Sequence, residues 1–216
     1  MGSSRSSAIR AIFFDFDGVL VDSEPLHYRC WAEVLASRGM GFSWDYYSTH
    51  FIGASNQAML ERLCRHFGQP YNPAFFEECY RRKRALYCRR APAACRTVPE
   101  LLDFITNRSG DYKLAVVSSS SRREVEPQLV RQGIRRHFQA VICEEDVEKL
   151  KPEPAPYLEA WRRVNGSRPR IAKRECLVVE DSGPGALAGR RAGMQVLRVS
   201  GPGAVWGLLK RQDWRA

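Results

Sequence analysis

Short, uncharged apolar segments occur near the start of the chain and repeatedly in its second half. The clearest are Ala11–Phe14, Leu114–Val117 and Cys176–Val179. Runs of this length without polar alternation are typical of strands that are buried on both faces of a parallel sheet. From Lys113 onward such strands alternate with helical segments, as in βαβ units. The pattern therefore predicts a doubly wound, Rossmann-like α/β core with a parallel sheet.

Helical spacing replaces this pattern between the first strand and Lys113. A helix start is predicted at Asp22-Ser23-Glu24-Pro25, where short polar side chains precede a proline. The apolar positions of that helix are Leu26, Cys30, Val34 and Leu35. Two further helices are predicted, one over Ser55–Phe67 and one that begins at Asn72-Pro73. This stretch indicates an α-helical domain inserted into the α/β core.

The two patterns divide the chain into segments. We expect residues 8–22 and 98–216 to form the α/β core domain, and residues 23–97 to form the inserted helical cap domain. Residues 1–7 lack the apolar segment of a signal peptide, and we expect a flexible N-terminal tail there. No apolar stretch approaches the roughly 18 residues that a membrane-spanning helix needs.

The segment Asp15-Phe16-Asp17-Gly18 directly follows the first apolar run. Side chains two residues apart in an extended segment point to the same side, so both carboxylates are expected to face one crevice at the strand end. A bound Mg²⁺ would offset their mutual repulsion. An aspartate can attack phosphorus to give an aspartyl-phosphate, and a second aspartate beside it suits general acid and base catalysis. The spacing alone is common in surface turns, so the neighbouring segments decide its meaning.

Polar residues also follow the later strands. Ser118–Ser121 follow the second apolar run and Glu180-Asp181 follow the third. Ligands of open α/β sheets bind at the carboxyl ends of the strands. There, hydroxyl and loop N–H groups would hold phosphate oxygens, and the carboxylates would complete a hard-metal site. Lys151, which precedes a proline, would offset the charge of a nucleophilic aspartate and of an incoming phosphate.

Each of these segments also has a purely structural interpretation. Ser118–Ser121 are suited to cap the helix predicted over Arg122–Arg131, and Glu180-Asp181 to cap a helix that begins at Pro184. Most lysines are solvated, and Lys151 on its own would be no exception. The coincidence of four such features, most of them at strand ends, favours a functional site.

Four segments together resemble the motifs of the haloacid dehalogenase-like hydrolases: Phe13–Ser23, Val117–Ser119, Lys151-Pro152 and Val179–Ser182. The likeness covers nearly the whole chain. Within that family, the chain is similar to the helical-cap subgroup that contains small-molecule phosphatases and β-phosphoglucomutase-like enzymes. The resemblance implies a Mg²⁺-dependent phosphatase that acts through an aspartyl-phosphate.

The resemblance also implies the roles of individual residues. Asp15 would be the nucleophile and a metal ligand, and Asp17 the general acid and base that also binds the metal through its backbone carbonyl. Ser118 and Lys151 would hold the phosphate. Asp181 would be a metal ligand, and Glu180 a direct or water-mediated one. Further candidates for contacts to phosphate or substrate are Gly18, Ser119, Ser120, His27 and Asn56.

Two related activities remain to be weighed. True dehalogenases of this superfamily lack an acid/base aspartate two residues after the nucleophile, so Asp17 favours phosphoryl transfer. In the mutases, a histidine at the position of His27 couples cap closure to the acid/base aspartate, although His27 also suits an ordinary helix surface. The mutases place a cap-loop arginine where this chain has Asn56. A second phosphate group needs a cationic partner, so we expect hydrolysis of a small phosphate monoester, with a phosphosugar mutase as the alternative.

Composition changes this interpretation little. The formal net charge of +10 attracts anions, and a binding protein that uses its basic surface is the alternative of a different class. No nucleic-acid module is recognisable, and most arginines lie in predicted helices. Seven cysteines without a C-x-x-C pair predict reduced thiols and no zinc site. We expect a cytoplasmic monomer whose partner is a small phosphorylated substrate, neither a membrane nor a nucleic acid.

Overall fold

The computed structural model describes residues 8–166 and 170–210, so the expected flexible tail lies outside the described residues. The chain divides into two compact units. One runs to Asp22 and resumes at Thr97, and the other is the continuous segment Ser23–Arg96.

The Ser23–Arg96 unit is helical throughout its regular structure. Its helices are α1 Glu24–Ala36, α2 Trp44–His50, α3 Asn56–His66 and α4 Pro73–Ala94. The hydroxyl of Ser55 accepts a hydrogen bond from Ala58 N at 3.1 Å, so the helix predicted over Ser55–Phe67 includes its two cap residues. Asn72 caps α4 in the same way, by accepting from Phe75 N at 2.8 Å. Side chains of all four helices form one apolar cluster, which includes Trp31, Tyr47, Leu60 and Cys79.

The other unit contains the sheet. Its strands are β1 Ala11–Phe14, β2 Lys113–Val117, β3 Ala140–Ile142, β4 Cys176–Glu180 and β5 Gln195–Arg198. They lie in the order β3-β2-β1-β4-β5, and every pair is parallel. Phe14 pairs with both Val116 and Val179, so the ends of β1, β2 and β4 are level with one another. The strands predicted from the three apolar runs are confirmed.

Five helices accompany this sheet in the described part of the chain. They are α5 Pro99–Arg108, α6 Arg122–Arg131, α7 Ala155–Asn165, α8 Gly183–Arg191 and α9 Pro202–Leu209. Helix α7 packs on β2 and β3, and α8 packs on β4 and β5. A buried apolar cluster joins the sheet to α7 and α8 through Phe13, Val117, Tyr157, Val178 and Ala188. Strand order reverses direction at β1, which confirms the doubly wound α/β class with a helical insertion.

Candidate active site

The site forms where β1, β2 and β4 end side by side. Asp15 follows β1, Ser118 follows β2, and Glu180 is the last residue of β4. Backbone hydrogen bonds continue the sheet past β1, since Asp15 N donates to Val179 O at 3.0 Å. Parallel strands of one register therefore deliver these three side chains to one edge of the sheet, at the point where the strand order reverses.

Asp15 is buried and makes short polar contacts. Its Oδ1 lies 2.9 Å from Lys151 Nζ and accepts from Phe16 N at 2.7 Å. Burial, followed by the nearby Glu180 carboxylate, raises the pKa of Asp15 well above its ordinary value, while Lys151 opposes that shift. A further positive charge at this position would therefore favour the ionised form that a nucleophile requires.

Lys151 is buried with its charge compensated. Its Nζ donates to Val117 O at 2.8 Å and to Glu180 Oε1 at 2.6 Å, besides its contact with Asp15. Burial alone would lower the pKa of Lys151, but the Asp15 and Glu180 carboxylates outweigh it and raise that pKa. Lys151 is thus a fixed cation beside Asp15, and its interpretation as a solvated lysine is wrong.

Glu180 is fully buried and held on both of its oxygens. Oε1 accepts from Lys151 and from the Tyr157 hydroxyl at 2.7 Å, while Oε2 accepts from the Ser182 N–H and hydroxyl at 3.2 and 2.9 Å. Burial would raise the pKa of Glu180, but Lys151 outweighs it and lowers that pKa. Close packing completes the cradle, since a Cβ on Gly185 would lie 1.8 Å from Glu180 Oε1.

Asp17 faces the serine loop after β2. Its Oδ2 accepts from the Ser120 hydroxyl at 2.7 Å and from the Ser118 hydroxyl at 3.3 Å. The Ser118 oxygen also accepts from Ser120 N at 3.0 Å, which fixes the loop. Ser119 lies between these two residues and is half-buried. The loop therefore orients the proposed acid/base carboxylate.

The residues that cap α6 and α8 are neighbours of the residues that face the site. Ser121 is the N-cap of α6 and shares hydrogen bonds with Glu124, at 3.2 Å from its N–H and 3.1 Å from its hydroxyl. Ser182 caps α8 by accepting from Gly185 N at 3.0 Å. The capping interpretation thus holds for Ser121, while Ser118 and Ser120 contact Asp17 and Glu180 contacts Lys151.

Three carboxylates lie close enough together to share a cation. One oxygen each of Asp15, Glu180 and Asp181 lies within 4.8 Å of the others. The Asp181 carboxylate lies directly against Gly18, because a Cβ there would be only 1.9 Å from Asp181 Oδ2, and the φ of +74° at Gly18 also favours glycine. Carboxylate oxygens are the ligands that Mg²⁺ prefers, so the residues present fit this ion.

Two predicted substrate contacts belong to the Ser23–Arg96 unit. His27 is buried, which contradicts the helix-surface alternative, and its ring stacks on Tyr87 with centroids 4.3 Å apart. Asn56 is half-buried at the start of α3, where its side-chain oxygen accepts from Trp31 Nε1 at 3.1 Å. His27 is therefore buried against Tyr87, and Asn56 lies at a helix start.

Sequence reasoning missed Tyr157 and assigned no role to Ser182. Tyr157 lies on α7, fully buried, and its hydroxyl donates to Glu180. Burial, and then the Glu180 charge, raises the pKa of Tyr157 well above its ordinary value, so the hydroxyl keeps its proton. A tyrosine in a helix pattern is usually a packing residue, and only its position five residues after Pro152 hints at the site.

Several surface arginines form ion pairs with neighbouring acids. Arg162 and Arg163 both contact Glu159, at 2.7 and 2.6 Å, and Arg90 contacts Glu33 at 2.7 Å. The seven cysteines all lie in the described part of the chain, and none of them forms a disulfide in this structure. Burial raises the pKa of the Cys143 and Cys176 thiols to about 12, so these two are packing residues. Among the residues described, no helix has the length and apolarity to cross a bilayer.

Comparison with known proteins identifies the class. Residues 12–199 match the family profile described as haloacid dehalogenase-like hydrolase, so the chain belongs to that family of enzymes. The family and hydrolase predictions are thereby confirmed.

Two of the similar proteins are named as phosphatases of phosphorylated sugars or carbohydrates. The chain is 27% identical over 188 residues to the fructose-1-phosphate phosphatase YqaB of Escherichia coli K12, with 87% of this chain and 95% of the relative covered. It is 26% identical over 187 residues to the phosphorylated carbohydrates phosphatase of Thermotoga maritima, with coverage of 87% and 83%. The names of these two relatives agree with the prediction that the chain is a phosphoric monoester hydrolase.

A solved structure shares the fold. The β-phosphoglucomutase of Clostridium difficile superimposes with a TM-score of 0.78, over 91% of this chain and 87% of that one. The two sequences are 20% identical, so this likeness concerns the fold alone.

Proposed function

We propose that this protein is a Mg²⁺-dependent phosphatase that hydrolyses small phosphate monoesters, sugar phosphates among them, through an aspartyl-phosphate. The observation that carries the proposal is the 2.9 Å contact between Asp15 Oδ1 and the buried Lys151 Nζ, at the edge of the sheet where Asp17 also lies. A buried carboxylate beside a fixed cation, with a second carboxylate two residues along the chain, supplies a nucleophile, a charge partner and a proton carrier.

The first step forms the covalent intermediate. An Asp15 carboxylate oxygen attacks phosphorus in line with the leaving oxygen, the bond between phosphorus and that oxygen breaks, and Asp17 gives its proton to the departing alkoxide. Lys151 offsets the charge on the phosphoryl oxygens, and so does the Ser118 hydroxyl once its proton turns from Asp17 Oδ2 to the phosphoryl group. In the second step the Asp17 carboxylate takes a proton from a water molecule that attacks phosphorus, which releases inorganic phosphate and regenerates Asp15.

Asp15, Asp181 and the backbone carbonyl of Asp17 would hold Mg²⁺, with Glu180 as a direct or water-mediated ligand. The ion supplies positive charge that favours the ionised nucleophile and attracts the phosphate oxygens. Support comes from the spacing of the three carboxylates and from the close approach of Asp181 to the first loop, which the missing side chain of Gly18 allows.

Hydrolysis is favoured over transfer to a second hydroxyl. A bisphosphate intermediate needs a cation for its second phosphate group. Asn56, at the position where the mutases have a cap-loop arginine, carries no charge, and its side-chain oxygen accepts from Trp31. Sugar phosphates are supported as substrates by the names of the E. coli and T. maritima relatives. The alternative of a binding protein predicts no turnover.

Phosphate release from a panel of phosphorylated metabolites, with and without Mg²⁺, tests the proposal. Hexose 1-phosphates belong in the panel, with product analysis for hexose 6-phosphate. Release that needs Mg²⁺, is lost in Asp15→Asn and persists in Asp103→Asn is the expected result. Asp103 is an exposed aspartate on α5 and serves as the matched control. Formation of hexose 6-phosphate without phosphate release would instead establish the mutase. No product from any substrate would favour the non-catalytic binding protein.

A further inference from the structure

Tyr157 places a hydroxyl inside the charged centre of the site. The side chain is fully buried, and its hydroxyl donates to Glu180 Oε1 at 2.7 Å. Its ring also lies under the Lys151 ammonium, with Nζ 5.3 Å from the ring centroid. One residue thus contacts both members of the Lys151–Glu180 ion pair.

All the N–H donors of Lys151 are already used in this arrangement. An ammonium group has three N–H donors. Lys151 directs them to Asp15 Oδ1, Glu180 Oε1 and Val117 O, at 2.9, 2.6 and 2.8 Å. For Lys151 to donate to a phosphoryl oxygen, one of these contacts must be given up.

The three contacts differ in what their loss costs. Val117 O would be left without its lysine donor, and Asp15 would lose the cation that stabilises its charge. Glu180 Oε1 keeps a second donor, the Tyr157 hydroxyl, and Oε2 keeps both donors from Ser182. Because a buried charged acceptor is costly to leave unpaired, the Glu180 contact is the one that Lys151 can release at least cost.

We infer that Tyr157 is a positioning residue, which makes Lys151 available to the phosphoryl group by holding Glu180 Oε1 when the lysine N–H turns away from it. The inference rests on the proposed phosphoryl-transfer function and assigns Tyr157 a part in it. Tyr157 takes no part in bond making. Without the hydroxyl, Glu180 Oε1 depends on Lys151 alone and retains it more firmly.

Tyr157→Phe isolates the hydroxyl, because phenylalanine keeps the ring beneath Lys151. Tyr112→Phe is the matched control. Tyr112 is a buried tyrosine of the same unit, just before β2 and hence at the opposite edge of the sheet. Both variants are compared with wild type in melting temperature, in kcat, and in the dissociation constant for inorganic phosphate measured by calorimetry with Mg²⁺.

Tyr157→Phe is expected to lower kcat about ten-fold and to weaken phosphate binding by a similar factor, since a hydrogen bond to a charged group has effects on this scale. Tyr112→Phe should leave both quantities unchanged. A merely structural role predicts a lower melting temperature and a smaller active fraction, which reduces kcat but leaves the phosphate dissociation constant unchanged.

An unchanged phosphate dissociation constant in folded Tyr157→Phe overturns the inference, whatever happens to kcat. A wild-type protein that binds phosphate but hydrolyses none of the panel would contradict the proposed function alone, and the binding comparison would still decide the role of Tyr157. A wild-type protein that neither binds phosphate nor releases it from any member of the panel overturns both.

Discussion

Gly18 and Asp181 are packed so closely that a single methyl group does not fit between them. A Cβ on Gly18 would lie 1.9 Å from Asp181 Oδ2, and Gly18 has a φ of +74°. Two separate constraints therefore meet at one glycine. The left-handed backbone turns the chain after Asp17, and the missing side chain lets the Asp181 carboxylate lie against the first loop.

Gly18→Ala is expected to abolish turnover by displacing Asp181, with unfolding destabilised by about 1 kcal/mol through backbone strain. Gly133→Ala separates the two effects, because Gly133 has a φ of +72° with nothing within 4 Å of the added Cβ. It should share the destabilisation and retain wild-type activity. Chemical denaturation and phosphate release measure the two quantities. Loss of activity in Gly133→Ala, or full activity in Gly18→Ala, would refute the role of the close contact.

The Mg²⁺ concentration that turnover requires should depend on the Asp181 carboxylate. Chelation is expected to stop turnover and Mg²⁺ to restore it, and Asp181→Asn should raise the half-saturating Mg²⁺ concentration about ten-fold or more, because a neutral amide replaces an anionic ligand. Binding of Mg²⁺ should also raise the melting temperature of the wild type, and less so that of Asp181→Asn. An identical Mg²⁺ dependence in the two proteins would remove Asp181 from the metal site.

The hydroxyl of Ser120 is expected to position Asp17. Its hydrogen bond to Asp17 Oδ2 is 2.7 Å long, shorter than the 3.3 Å contact from Ser118. Ser120→Ala should reduce kcat about ten-fold by leaving the acid/base group less ordered. Ser120→Thr retains a hydroxyl and should recover much of the rate. Equal kcat values for the alanine variant and the wild type would show that Ser118 suffices.

Glu159 should contribute a pH-dependent part of stability. Hydrogen bonds from Arg162, together with Arg163 and against the effect of burial, lower the pKa of Glu159 from 4.5 to about 2. A lowered folded-state pKa stabilises the protein above the unfolded value, and the contribution is lost as pH falls from about 4.5 towards 2. Glu159→Gln should therefore cost about 0.5–1 kcal/mol at pH 7, as expected for a partly exposed ion pair.

That difference between wild type and Glu159→Gln should shrink progressively in unfolding curves recorded at lower pH. Glu148→Gln, at an exposed glutamate just before the Lys151 segment, should change stability little at any pH. A Glu159→Gln effect that is constant from pH 7 to pH 3 would contradict the electrostatic explanation.

Much of the sheet could be predicted because strands that are buried on both faces have continuous apolar sequences. The ends of those strands in turn indicated where the site lies. Asp15, Ser118 and Glu180 could be grouped because parallel strands bring their carboxyl ends to one edge. The edge strand β5 was not predicted, since its residues Gln195–Arg198 are only partly buried and carry no continuous apolar signal.

Side-chain partnerships were less accessible to sequence reasoning. The hydroxyl of Tyr157 meets Glu180 through packing of α7 against the sheet, and helical periodicity marks Tyr157 only as a core position. His27 likewise fits a helix surface or a helix interior equally well until its stacking on Tyr87 is seen. These contacts depend on tertiary distances that no spacing rule along the chain contains.

Covalent trapping tests the central claim most directly. Sodium borohydride reduces an aspartyl-phosphate to homoserine, so protein quenched during turnover with Mg²⁺ and a hydrolysed substrate can be mapped by peptide mass spectrometry. The proposed chemistry predicts homoserine at position 15, its absence without substrate, and no change at Asp17. Conversion at Asp17, or an unmodified Asp15 in protein quenched during rapid hydrolysis, would contradict Asp15 as the nucleophile.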